Sequence, residues 1–188
     1  MRIRLPGGRR AARLSGMDLP VVIDAGPVEL RRWELPMAEE AAAAVVESLP
    51  EFKPFLPWAT DGYDPASSRD FIEQSIESWG KGTEFNYAMY AKDGGLVGSI
   101  GLMTRMGPDV LEIGYWVRTS QTGRGYMTAA VEAITPVALA QPGIVRAAIR
   151  HDAMNGASAA VAIKCGFAEV ARIPNDTNGT DVIRERRA

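Results

Sequence analysis

The chain is poor in the residues that build disulfides and metal centres: among 188 residues it has one cysteine, Cys165, and one histidine, His151. One cysteine excludes an internal disulfide framework and suits a reducing compartment, so a cytoplasmic location is expected. No metal site is expected. No apolar run approaches the roughly 20 residues of a membrane-spanning helix. The G-x-x-x-x-G-K-[ST] string of a P-loop is missing. A dinucleotide-binding fingerprint is missing too, because Thr128 stands where its third glycine belongs after Gly125. Interleaved aromatics are absent from the most basic stretch. Residues 1–20 carry Arg2, Arg4, Arg9, Arg10 and Arg13 against Asp18, a charge of +4, which leaves −6 for the rest of a chain whose total is −2. No apolar segment follows these arginines, so they do not read as a secretory signal. Residues 1–20 are expected to be a loosely ordered basic extension, with one domain over 21–188. The acidic body argues against a nucleic-acid-binding domain and suits cationic amine partners.

A hydrophobic content of 46% is enough for a globular core. Val28 to Trp33 reads as a strand. Pro36 stands near the start of a helix through Ala41–Val46 that Pro50 is expected to end. Ser67 or Ser68 is expected to cap a second helix carrying Phe71, Ile72, Ile76 and Trp79, stopped by Gly80 and Gly82. Phe85–Ala91 and Leu96–Met103 alternate as strands around an Asp93-Gly94 hairpin signal. Further strands are read at Ile144–Ile149, Phe167–Ile173 and Thr180–Arg184, the last after an Asn178-Gly179 turn. Asn155 is placed to cap a helix to Lys164 that Gly166 stops. Strands with helices between them, and no regular βαβ repeat, predict a mixed α/β (α+β) single domain.

The most informative stretch is Leu111–Thr128, LEIGYWVRTSQTGRGYMT. Leu111, Ile113, Tyr115 and Val117 alternate with Glu112, Gly114, Trp116 and Arg118, which is strand periodicity. After Gly123-Arg124-Gly125 the spacing turns helical, with Tyr126, Ala130, Ile134 and Val137 on one face. Pro136 lies inside that helix at a cost of about 3 kcal/mol unless the helix kinks. A strand passing through a glycine-rich turn into a helix leaves unpaired N–H groups and the positive end of a helix dipole pointing outward, which makes an anion site. Glycine lets a phosphate approach the backbone without meeting a Cβ.

EIGYWV, then GRGYMT, then NGASAAVAIKCGF together resemble the GNAT superfamily of acetyl-CoA-dependent N-acetyltransferases, from about Val28 onward, and most nearly its Rim-type branch of ribosomal-protein N-terminal acetyltransferases. The resemblance implies the GNAT fold, with acetyl-CoA held where two central parallel strands splay apart. It implies that backbone groups of Trp116, Val117 and Arg118 meet the pantetheine arm. It also implies that Gly123, Arg124, Gly125, Tyr126, Met127 and Thr128 hold the pyrophosphate. Thr122 and Met127 depart from the usual residues of that loop, Gln121 sits one place early, and Ala129 replaces a common glutamate. Glu112 is the expected general base, with a structural ion pair to an arginine as its rival role. Asn155 is expected both to cap its helix and to lie near the cofactor thiol. Ser158 is expected to serve the leaving thiolate. The slot where many relatives carry a tyrosine acid holds Ala162.

Phe55, Trp58 and Tyr115 are expected to line the acceptor side. His151 reads as a solvated loop residue with a proton shuttle as the alternative, and Cys165 as a small core residue. The expected activity is direct acetyl transfer to a primary amine, best read as a protein or peptide N-terminus. A small-molecule amine acetyltransferase for an antibiotic or polyamine is the alternative, and a non-catalytic acyl-CoA-binding regulator the third reading. A monomer or homodimer is expected.

Overall fold

The computed structural model describes residues 16–176 and 179–187. Its strands are Val22–Ala25 (β1), Val28–Arg32 (β2), Glu84–Ala91 (β3), Leu96–Met103 (β4), Val110–Val117 (β5), Arg146–Asp152 (β6), Ala168–Pro174 (β7) and Thr180–Arg187 (β8). Its helices are Ala38–Phe52 (α1), Pro65–Lys81 (α2), Tyr126–Leu139 (α3) and Gly156–Lys164 (α4). The strands form one mixed sheet in the order β1-β2-β3-β4-β5-β6-β8-β7. Only β5 and β6 run parallel, and they pair over just three positions, Val110 with Arg146, Leu111 with Ala147 and Glu112 with Ala148. Beyond Glu112 the two strands separate, which opens the sheet at its centre. This is the GNAT fold.

Period-2 alternation assigns the two faces. Leu111 and Ile113 of β5 join Tyr87, Met89, Ile100 and Leu102 in a core with Ala130, Val131 and Ile134 of α3, and Tyr115 packs against it. Trp116 turns the other way, toward Ala41 and Ala44 of α1 and Ile72 of α2. Alternate positions along β5 therefore serve opposite layers, as a pleated strand requires.

Two helices run straight through prolines. Pro50 lies inside α1, which continues to Phe52 instead of ending there, and Pro136 lies inside α3. The carbonyls each proline deprives are those of Val46 and Glu132, both exposed residues on the outer faces of their helices, where solvent can reach them. The start of α2 also differs from expectation. Its cap is Asp64, whose Oδ1 accepts from Ser67 N–H at 2.8 Å, with Pro65 in the first turn and Gly82, at φ 68°, as the stop. Ser67 completes the capping box and Ser68 is buried beside Tyr63. Gly80 lies within the helix.

The short β1 is absent from the sequence reading. The expected basic extension falls mostly on residues 1–15, outside the described residues, as does Asn178 of the expected turn. Leu19 is buried, Asp18 N–H donates to Gln141 Oε1 at 3.1 Å and Tyr87 donates to Pro20 C=O at 2.9 Å, so the chain is already packed ahead of residue 21.

Candidate active site

At the splay, β5 leads through a 3-10 turn, Thr119–Gln121, into the glycines and α3. Gly123 and Gly125 have φ of 75° and 77°, a left-handed conformation that costs any other residue energy, and a Cβ built on either meets no protein atom within 4 Å. Their open faces look into a cleft of about 460 Å³. Gly125 is the N-cap of α3 and supplies no side-chain cap; the first intrahelical bond is Ala129 N–H to Gly125 C=O at 3.0 Å. The N–H groups of Tyr126, Met127 and Thr128 thus precede that bond, at the positive end of the helix. Arg124 and Lys164 add two cations to the cleft walls. A pyrophosphate fits this cradle: N–H donors without a cap, two cations, and room where a Cβ would otherwise stand.

Helix α1 holds the turn rigidly. Ser48 Oγ accepts from Thr119 N–H at 2.9 Å while donating to Ala44 C=O at 2.7 Å. Glu47 accepts from Ser120 N–H at 3.0 Å and from Arg118 Nε at 2.7 Å, and Glu51 accepts from Thr119 Oγ1 at 3.1 Å. The Arg118 guanidinium, helped by Ser120, holds the Glu47 carboxyl down at about 2, against an ordinary 4.5. Because the folded value is depressed, the stability that Glu47 contributes is present above pH 4.5 and is lost as pH falls toward 2. Glu47→Gln should therefore be less stable than wild type near neutrality, with the gap closing between those values; parallel urea unfolding curves from pH 2.5 to 7 measure it. A gap independent of pH would mean that Glu47 does not hold the turn through its charge.

Arg118, expected to meet the pantetheine arm, does not line the cleft, and its groups are engaged within the protein. Its N–H donates to Val97 C=O at 2.9 Å, its carbonyl accepts from Gln121 N–H at 2.9 Å, and its guanidinium is paired with Glu47. Trp116 and Val117 do line the cleft, with Gly123 to Thr128, Asn155 and Ser158. Asn155 Oδ1 accepts from Ser158 N–H at 3.0 Å and caps α4. Phe55 lies on this cleft too.

A second cavity of about 590 Å³ opens on the α1–α2 face, walled by Trp33, Trp58, Tyr63, Phe71 and Trp116, with Asp70, Gln74, Asn86 and Arg105 as polar groups. Its floor includes the cross-strand partners Gly101 and Gly114, over which the side chains of Asn86 and Met103 close in, so neither position has room for a Cβ. The two spaces share Leu56, Tyr115 and Trp116, so they meet at the splay. Sequence reasoning missed most of this second wall, because Trp33, Tyr63 and Phe71 come from three separate segments with no common motif.

Glu112 is on the same side of β5 as Trp116 but lines neither cavity, and it makes the ion pair to an arginine that is the alternative to a general base. Its carboxylate is buried at 2% exposure, and Arg105 donates to both oxygens, Nε to Oε2 and Nη2 to Oε1, each at 2.7 Å. The bond from Glu112 also holds the Arg105 guanidinium further up. His151 is not a solvated loop residue: it is buried on β6, its Nε2 accepts from Arg184 Nε at 3.3 Å and its Nδ1 lies 2.8 Å from Asp152 C=O. Cys165 is buried, with its thiol pushed up to about 11 chiefly by burial, which keeps it an inert core residue. Among the described residues no cluster of His, Cys, Asp or Glu could hold a metal ion, and no helix is long and apolar enough to cross a membrane.

A glycine cradle at a helix start, beside a split between parallel strands and open to a second cavity, defines a site for an acyl-CoA thioester and an acceptor. The pattern of the family described as "Acetyltransferase (GNAT) domain" matches residues 28–168, and the chain belongs to that family. It is an acetyl-CoA-dependent acetyltransferase of the GNAT type. Among solved structures it is similar to RimL, a ribosomal-protein alpha-N-acetyltransferase in complex with coenzyme A (TM-score 0.81, 19% identity, 88% of this chain and 97% of that one). It is similar also to the microcin self-immunity acetyltransferase MccE in complex with acetyl-CoA and AMP (0.82, 21%, 90% and 97%). Mycobacterium smegmatis RimJ in complex with a CoA-disulfide is a third (0.77, 20%, 92% and 88%). A sequence search of curated proteins finds no match.

Proposed function

We propose that the acceptor is the α-amine of a protein or peptide N-terminus, entering through the cavity on the α1–α2 face. The observation that carries this reading is the scarcity of bases: exposed Asp70 is the one carboxylate lining that cavity among the described residues, and buried Glu112, outside it, is held by Arg105. An α-amine has a pKa of about 7.7–8.0, so roughly a tenth is neutral at pH 7 and its deprotonation costs about 1 kcal/mol. A lysine amine, at about 10.4, costs nearly 5 kcal/mol and needs a strong base. Sparse machinery suits the easier amine. The likeness to RimL and RimJ supports the same reading.

In this reading the cleft holds acetyl-CoA, which supplies the activated acetyl group. Gly123 to Thr128 bind its phosphates, with Arg124 and Lys164 adding charge. Trp116 and Val117 orient the acyl arm, and Asn155 and Ser158 stand at the thiol end. Trp58, Trp116 and Tyr115 bring the amine to the junction, where holding both reactants together supplies several kcal/mol.

A second reading has its own observation. Phe52, Trp58, Tyr63 and Trp116 form a run of rings with centroids 5.6 to 5.9 Å apart and planes tilted by 53–64°, and Trp58, Tyr63 and Trp116 line the cavity, where a single ring face could take a flat small molecule. MccE, solved with AMP, gives that reading a precedent. Matched peptides decide between them, one with a free N-terminus and blocked lysines, one the reverse, assayed from pH 6.5 to 9.5. The N-terminal peptide should be acetylated faster at neutral pH. Faster lysine acetylation overturns the proposal, and turnover of a small nucleotide-linked amine, polyamine or aminoglycoside alone transfers the case to the second reading.

A further inference from the structure

Tyr115 joins what the splay separates. It stands on β5 past the last pairing with β6, its ring packed against the core that Leu111 and Ile113 enter, and its phenol reaches the first turn of α4. Tyr115 Oη lies 2.9 Å from Ser158 Oγ and donates to Ser158 C=O at 3.2 Å. One phenolic hydrogen thus has two acceptors on the same residue. When it goes to the carbonyl, the serine hydroxyl returns its own hydrogen to Tyr115 Oη. When it goes to Ser158 Oγ, the serine hydrogen is released toward the cleft, which both residues line. Burial pushes the phenol up to about 12, so it remains a donor throughout the physiological range.

We propose that Tyr115 is a positioning residue for acyl transfer, whose phenol turns the Ser158 hydroxyl toward the sulfur of the acyl-CoA substrate. The proposal rests on the reading above that Ser158 stands at the thiol end of the cleft. As the amine nitrogen bonds to the acetyl carbonyl carbon, the carbon–sulfur bond breaks and its electron pair leaves on sulfur as the CoA thiolate, to which Ser158 donates a hydrogen bond while keeping its proton. Tyr115 shifts its hydrogen from the Ser158 carbonyl to Oγ and keeps its own. The proton shed by the amine leaves to solvent, so neither residue changes charge.

The test compares wild type, Tyr115→Phe, Ser158→Ala and the double variant. The first readout needs no turnover: affinity for CoA relative to desulfo-CoA, at a pH where the free thiol is partly ionised. Wild type should prefer CoA by about tenfold, the scale of one hydrogen bond to a charged atom. Each single variant should lose that preference, and the double variant should lose no more than either. The second readout is CoA release, to a peptide amine or to water. Tyr115→Phe should lower kcat about tenfold with the KM for acetyl-CoA unchanged, and should add nothing in the Ser158→Ala background.

A Tyr115→Phe enzyme equal to wild type beside a defective Ser158→Ala overturns the positioning role alone. Multiplying effects in the double variant also overturn it, since the phenol would then act independently of the serine. A wild type indifferent to the sulfur overturns the placement of Ser158 and the proposal with it. Phe keeps the ring packing, and thermal melting of each variant checks that the fold is retained.

Discussion

Gly125→Val should lose acetyl-CoA binding by a factor of more than about 100. Valine at φ 77° pays about 1–2 kcal/mol for a left-handed backbone, more for a β-branched side chain. The larger effect is local. The new Cβ and its methyls enter open space on the cleft side of the turn, where the proposed phosphate contacts would lie. Displacing two charge-assisted hydrogen bonds costs about 3 kcal/mol or more. Thermal shift measures it directly. Acetyl-CoA at a hundredfold excess over Kd stabilises wild type by about 2.7 kcal/mol and should stabilise the variant hardly at all, while NADH stabilises neither. Gly26 provides the control: it has φ 72°, an equally open Cβ position and a place in the β1–β2 turn away from the cleft. Gly26→Val should melt lower by a similar margin and bind acetyl-CoA normally. Unchanged affinity in Gly125→Val would place the pyrophosphate elsewhere.

The second large effect is expected from Arg105→Ala, and it is one of stability. The Glu112 side chain is 3% exposed and the Arg105 side chain 60% exposed. Removing the arginine strands a buried carboxylate, whereas removing the glutamate leaves a cation that water already reaches. Arg105→Ala should cost about 3 kcal/mol, the low end for a stranded buried charge because solvent borders one side. Arg105→Ala combined with Glu112→Leu should recover most of that loss, because nothing charged is then left buried. Urea unfolding of the two variants gives both numbers. A double variant no more stable than Arg105→Ala would show that packing, not charge, was lost. The same pair tests the base. A general base contributes about 10²–10⁴-fold, so a Glu112→Gln enzyme that keeps nearly full turnover excludes that role for Glu112, and a loss of that size restores it.

The sequence by itself determined the elements that depend on near neighbours. Alternation in Leu111–Val117, the two glycines before Tyr126 and the Asn155 cap are local signals, written in side-chain period and backbone preference, and they marked the strand, the glycine turn at the start of α3 and the start of α4. Local signals were also misread. Asp64-Pro65-Ala66-Ser67 is a complete capping box in the sequence, yet the cap was assigned to the serines. Pro50 was read as a stop because the cost of a proline depends on whether the freed carbonyl faces water, and that depends on which side of α1 meets the sheet.

Only the tertiary structure decided the partners of the functional groups. Arg105 lies seven residues from Glu112 in the chain, but the β4–β5 antiparallel register folds it back onto the carboxylate. Arg118 is spent on Glu47 of α1, 71 residues away. Tyr115 meets Ser158 across the splay, 43 residues away, and the aromatic wall gathers rings from four segments. Hydrogen bonds and ion pairs act over about 3 Å, and which groups come within that distance is fixed by strand order and helix packing, not by spacing along the chain.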